Sequence, residues 1–269
     1  MFRFGLYHRR YSWRRVEELR YREQQRRRGL RDAVQGAREV VGRFPDGSFA
    51  TMGSVGSFEG EGSEIVSYPL HFNRFSTNGE FLSDFVSVPG RAWYGFGVGD
   101  RHEYWMVPFM PEPRWAMGTG LFVGTGASFE VAVYRHDVGL TRIIRGPAIE
   151  RDLRDAVVQR YGEELLADAV DDNERRQIEQ FLANVPFARQ SPAFGDIRVD
   201  ALGYLWAERY RLSGEAQPEW FVFDTNGRWL GTVRTPRSLR VFEIGEHYIL
   251  GLAYGDLGRE RVEMYDVAR

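Results

Sequence analysis

The residues able to do chemistry are few and scattered. Five histidines, His8, His71, His102, His136 and His247, lie far apart, and none forms His-x-x-x-His or His-Glu-x-x-His, the spacings that present paired metal ligands on one helix face. Asp100, His102 and Glu103 come nearest to a metal cluster, but three polar groups on one loop are ordinarily only hydrated. Gly118-Thr119-Gly120 and Gly124-Thr125-Gly126 lack both GxGxxG and a following Gly-Lys-Ser/Thr, and β-type runs flank them where a phosphate-cradling loop would open a helix. There is no Gly-x-Ser-x-Gly elbow for a serine nucleophile. With no cysteine in the chain, thiolate zinc sites, disulfides and cysteine nucleophiles are excluded. The carboxylate pairs Glu163-Glu164 and Asp171-Asp172 fall in helical patterns and read as solvated faces and caps. These patterns call for no cofactor and no metal.

The 269 residues are 43% apolar and 14% aromatic, ample for a packed core. All 36 cations are arginine, and the first 43 residues hold 13 of them against five acids, so a basic arm precedes an acidic body. Glu17, Glu18 and Glu23 interleave with the run Arg14 to Arg28 at helical spacing, favouring a solvated helix over a nucleic-acid contact. No apolar run approaches the roughly 20 residues needed to span a bilayer, and the first ten residues lack a signal-peptide core. As written, the chain reads as cytoplasmic, and as periplasmic or secreted if the true start lies upstream.

These residues need elements to position them. Val16, Leu19, Leu30, Val34 and Ala37 predict a helix from Ser12 to about Gly36, giving an Arg-rich segment over 1–37 and a main domain over 38–269. From residue 38 the texture is short β runs punctuated by Gly, Pro, Asn and Asp, with Gly53 to Ser63 (GSVGSFEGEGS) as a flexible loop. One interruption stands out at 149–184. Ile149, Leu153, Val157, Tyr161 and Leu165 mark one helix face, and Ile178, Phe181 and Leu182 mark a second helix capped by Asp171 or Asp172 and stopped by Pro186. The apolar stripe of this helical hairpin must be covered, and an end of the β body is the nearest surface.

The β segments repeat. Phe72 to Gly79, Val131 to Gly139 and Trp220 to Gly227 each lead through a Gly turn to a strand closing on Pro89, Pro147 or Pro236, 10, 8 and 9 residues after the turn glycine. The turns read as tight two-residue connections with positive φ. Hairpins of a second kind precede them: Val40 to Ala50, Trp115 to Thr125 and Ile197 to Ala207, while Leu239 to Gly251 leads into Glu260 to Val267. Paired hairpins make four-stranded units starting near 38, 91, 192 and 237, the signature of propeller blades. Trp206, Trp220, Phe221, Phe223 and Trp229 are expected to fill the space between blades.

On Val199-Asp200-Ala201-Leu202-Gly203-Tyr204-Leu205-Trp206, on Trp220 to Gly231, and on Ile244 to Gly251 followed by Asp256-Leu257-Gly258, the chain resembles the six-bladed β-propellers of the NHL and TolB-like kind, uncharacterised bacterial members above all. The shared pattern is a strand ending at Asp-x-x-Gly before an aromatic-rich strand. It is good over 190–269, fair over 38–147 and absent before 38. The expected fold is thus mainly β, a propeller of four-stranded antiparallel blades. About four are countable where the resemblance implies six, and the last blade has three strands. A smaller closed ring, an open arc completed by a partner chain, or an incomplete chain would each account for this, the last two ranking first, with Met1 to Tyr7 as a candidate closing strand.

In such a fold the first strand of each blade lines the central channel, so Asp196, Arg198 and Arg240 are the candidate binding residues, with His102 on a loop able to reach one end. The expected function is a noncatalytic module binding a protein or small ligand at the channel mouth and the adjoining helical insertion, with self-association through an unclosed blade edge as a further partner. The alternative is a propeller enzyme, a metal-assisted or lactonase-like hydrolase using His102 and channel carboxylates.

Overall fold

Alternating strands joined by short glycine turns form hairpins, and consecutive hairpins here form meanders. A computed structural model describes residues 39–54, 63–98, 101–212, 217–254 and 259–268. The Arg-rich helix, the Met1–Tyr7 strand, most of the Gly/Ser loop, Asp100 and the Asp256-Leu257-Gly258 turn fall outside these residues. The first sheet holds β1 (Glu39–Arg43), β2 (Phe49–Ser54), β4 (Leu70–Phe75) and β5 (Phe81–Val88) in that order. The second is β8 (Arg114–Met117), β9 (Leu121–Gly124), β10 (Glu130–Arg135) and β11 (Gly139–Arg145). The third is β12 (Phe194–Val199), β13 (Leu205–Arg209), β14 (Glu219–Phe223) and β15 (Trp229–Arg234). The fourth has three strands, β16 (Leu239–Ile244), β17 (Tyr248–Tyr254) and β18 (Glu260–Asp266). All pairings within these sheets are antiparallel.

One loop recurs through the sheets. Ser76, Asp200 and Asp224 each accept hydrogen bonds from the backbone N–H groups two and four residues on. The N–H of Gly79, Gly203 or Gly227 then closes the turn onto the carbonyl of the same residue. Only the glycine has positive φ, +80° to +81°. The connection is therefore a three-residue loop, a type I turn followed by a left-handed glycine, and not the two-residue turn expected; Asn78 and Asn226 need no positive φ. Asp200 does more, because its second carboxylate oxygen accepts the buried Trp206 indole N–H at 2.9 Å.

The four sheets pack in series. Phe44, Ala50 and Phe72 of the first sheet meet Leu121 and Val123 of the second. The other face of the second, through Phe122, Val131, Val133 and Ile144, meets Phe194, Ile197, Leu205 and Phe223 of the third. Trp206, Trp220 and Val222, on the opposite face of the third sheet, meet Leu239, Val241, Ile244 and Ile249 of the fourth. First strands stand closest. A Cβ built at Gly42 would lie 2.4 Å from Met117 Cγ, and one at Gly118 would lie 2.6 Å from Val199 Cγ1, while Ala201 N–H donates to Ile244 O at 3.0 Å. Sheets in face-to-face series, closest at their first strands, are propeller blades. Of the expected interblade aromatics, Trp229 departs: it sits on the outer strand, 49% exposed, its indole N–H donating to Gly231 O.

The second blade begins at Arg114, not near 91. The intervening residues form a side sheet of β3 (Glu64–Ser67), β6 (Ala92–Val98) and β7 (Arg101–Met106), because β6 pairs back to β3 across the first blade's hairpin. This side sheet covers the helical hairpin, α1 (Asp155–Ala167) and α2 (Asp172–Asn184). Phe181 of α2 is fully buried among Tyr94, Phe96 and Trp105, and Asp171 caps α2 through Glu174 N–H at 2.7 Å. The helix expected from Ile149 starts six residues later. Residues 149–154 are instead an extended strap, tied by Leu153 N–H to Arg189 O and by a bridge between Asp152 and Gln190. No helix among the described residues is long and apolar enough to cross a membrane.

A polar joint supports the contact of the first two blades. Arg74 donates to Asp46 Oδ2 at 2.5 Å, to Ser48 Oγ at 2.9 Å and to the His136 carbonyl at 3.0 Å. The Ser48 hydroxyl, with smaller help from its N–H, Arg74 and His136, lowers the Asp46 pKa from 3.8 to about 2. A depressed carboxylate pKa stabilises the fold above its unfolded value, and that contribution is lost as pH falls through the folded value. The acid unfolding curve of the native protein between pH 4 and 2 is accordingly expected to be steeper than that of Asp46→Asn, measured by circular dichroism. At the third blade, Asp200→Ala removes three acceptor bonds and leaves a buried indole N–H unpaired, an expected loss of about 3 kcal/mol in urea unfolding.

Candidate functional site

Strand pairing aligns Arg114 of β8, Asp196 of β12 and Arg240 of β16 at equivalent places, opposite Gly124, Glu208 and Leu252. Asp196 and Arg198 are brought together: Arg198 Nη2 donates to Asp196 Oδ2 at 2.9 Å, and its Nη1 reaches across to Phe242 O on β16 at 3.3 Å. The Arg198 Nε is buried without a hydrogen-bond partner. Arg240 stands over the Phe242 ring at 5.7 Å, so Arg198 and Arg240 meet the same residue. His102 is not with them. It lies within β7 of the side sheet and not on a loop, its Nε2 buried without a partner and its ring 4.9 Å from that of Tyr104. Among the described residues no three of His, Cys, Asp and Glu gather as a metal cage.

Three side chains absent from the sequence expectation complete this polar region. Glu208, the partner of Asp196 across the strands, is 15% exposed and takes the Arg211 Nε at 2.9 Å. Burial pushes its carboxyl pKa up, Asp196 adds to the rise, and Arg211, Arg198 and Arg114 oppose it. Arg114 donates to Gly195 O on the next blade and to Glu112, while Glu112 also takes Arg91 at 2.5 Å. Tyr210 follows. Burial, helped by the Glu112 carboxylate, pushes its phenol up to about 12, so at neutral pH it is an uncharged hydrogen-bonding group.

Tyr210 lines two cavities. The smaller, about 50 Å³, is walled by Met106, Phe109, Met110, Glu112 and Tyr161. Phe109 is the one non-glycine residue with positive φ among those described, at 60°, a costly conformation for a bulky side chain that only surrounding packing can hold. The packing is there: Phe109 is buried against Tyr161 of α1, ring centroids 5.3 Å apart, and Phe187. The larger cavity, about 250 Å³, lies between the strap and the end of β13, walled by Ile149, Arg151, Arg154, Val157 and Arg209. The site is thus a seam where three stretches distant in sequence meet: 106–114, the strap with α1, and 208–212. A concave space with apolar walls and a few converging charged groups can bind a small solute. The visible sequence signal was Glu208-Arg209-Tyr210-Arg211 following directly on the core strand of Trp206, charge and aromatic where a blade should turn.

No protein-family model matches the chain, and no curated protein matches it. Among solved structures it is similar to crystal structures of virginiamycin B lyase from Staphylococcus aureus. A selenomethionine form is 10% identical, with 86% of this chain and 84% of that one covered and a TM-score of 0.27. A catalytically inactive form with quinupristin is 11% identical, with 88% and 86% covered and a TM-score of 0.28. A likeness this loose says nothing of what this chain's site does.

Proposed function

We propose that the protein is a noncatalytic β-propeller binding module whose ligand is a small molecule held in the cleft between the strap and the end of β13. One observation carries the reading: the cleft and its apolar neighbour meet at Tyr210, against a half-buried charge network on the first strands and a strained Phe109 held by α1. The reading extends the expectation of a channel-mouth site beside the helical insertion, and it keeps Asp196, Arg198 and Arg240 as groups that shape the region from the blade axis. The six-bladed ring that the family resemblance implies belongs to the proposal as well. An enzymatic reading through His102 draws no support from the place of that side chain in β7, apart from the axial charges.

The cleft reading is tested by filling the space. Val157 is half-buried in its wall, and Val157→Trp should weaken fragments that bind the native protein, found by ligand-observed NMR, by about tenfold or more, since displaced contacts and lost room act together. Fragments indifferent to this change would place the site elsewhere. Glu208 in this reading supports the site and does not react. A carboxyl whose folded pKa is raised stabilises below its unfolded value and loses that contribution as pH rises. Glu208→Gln should therefore unfold at higher urea than the native protein at pH 7, with the gap narrowing as the pH is lowered.

A further inference from the structure

We infer that the ligand of the cleft is a small organic anion, a carboxylate on a short apolar body. The inference rests on the reading of the cleft as a binding site. Its volume of about 250 Å³ is near the low end of small-molecule pockets, so the occupant is a small solute. Ile149, Val157, Pro192 and Leu212 give it an apolar wall, so the body of the occupant is apolar.

The charged lining decides the sign. Arg151, Arg154 and Arg209 face Glu150 and Asp152, three cations against two acids. The Arg151 guanidinium donates to carbonyls, Ala127 O at 2.9 Å, Gly126 O at 3.3 Å and Ser191 O at 3.4 Å, and to Gln190 Oε1 at 3.0 Å. Those bonds fix its position without cancelling its charge. Arg209 pairs with Glu219 at 3.5 Å, a carboxylate that also takes Arg234 at 2.8 Å. Arg154 is exposed and has no ion pair among the described residues. The acids are likewise held by neutral donors: Glu150 accepts the Asp152 N–H at 3.0 Å, and Asp152 accepts the Gln190 amide at 2.9 Å, so the lining keeps one more cation than anions. A carboxylate entering beside Arg154 gains an ion pair, with the bidentate geometry a guanidinium offers, that an alcohol or an amine of the same length does not.

Hexanoate, hexanol and hexylamine share one chain and differ in the sign of the head group. Titrated into the full-length protein by calorimetry at pH 7 and low salt, hexanoate should bind about tenfold more tightly than hexanol, with hexylamine weakest, the usual scale of one charge-assisted bond. Arg154→Ala, an exposed change that leaves the fold intact, should bring hexanoate down to the level of hexanol. Equal binding of all three, or a hexanoate preference unmoved by Arg154→Ala, overturns the anion while leaving the cleft standing, provided Val157→Trp still abolishes binding. Indifference of every probe to Val157→Trp, in protein whose thermal melt is unchanged, removes the cleft itself.

Discussion

A twisted antiparallel sheet with apolar side chains on both faces needs a neighbour on each side, and for the second and third blades that neighbour is another sheet. The second and third blades satisfy the requirement in full. Trp206 and Trp220 point one way into the fourth blade while Phe221 and Phe223 point the other way into the second. Such packing works only if the first strands approach closely, which is why Gly42 and Gly118 stand where any side chain would run into Met117 or Val199. The fourth blade shows what happens without a described neighbour. Val262 and Met264 are 69% and 66% exposed, on the strand positions paired with Leu252 and Leu250, a face of the same character as those buried elsewhere.

Much of this order is local and therefore readable from residues. Asp200-x-x-Gly203 and Asp224-x-x-Gly227 place an acceptor and a left-handed glycine at fixed spacing, so the loop they form is the same wherever they occur. The two-residue reading of those turns failed on a point that spacing cannot decide, since Asn-Gly suits both a two-residue turn and the end of a type I turn. The start of the second blade was misplaced for a different reason. Ala92 to Met106 has the composition of a blade hairpin, and only the pairing of β6 with β3, 31 residues earlier at Glu64↔Gly95, removes it from the stack. Long-range pairing of that kind leaves no mark in either strand alone.

The polar positions of the first strands have a related local basis. Asp196 and Arg198 alternate with Phe194 and Ile197 around a bulge in a first strand, a pattern visible in the residues themselves. Glu208 and Tyr210 were not legible, because what makes them unusual is burial by elements far away in the chain. An exposed Glu at the end of β13 would be an ordinary solubilising residue. Here the neighbouring strands and Arg211 enclose it, and the cost of burying its charge exceeds what the arginines return.

That cost points back to the seam. A propeller blade can end its second strand in any polar turn, and the second blade, ending β9 at Gly124, does so without charge. The third instead continues through Glu208, Arg209, Tyr210 and Arg211 into the space under the strap, where α1 brings Tyr161 and the 106–111 segment brings a strained Phe109. Two departures from the economical structure, a left-handed aromatic residue and an insertion of two helices, meet at one phenol, and a buried carboxyl lies two residues before it in the same strand end. Separate accidents of packing would fall in different places, because each is costly and nothing in blade stacking requires them to be neighbours. Phe109, Tyr161 and Tyr210 come together beside the larger cavity, where the blade framework itself asks for none of them.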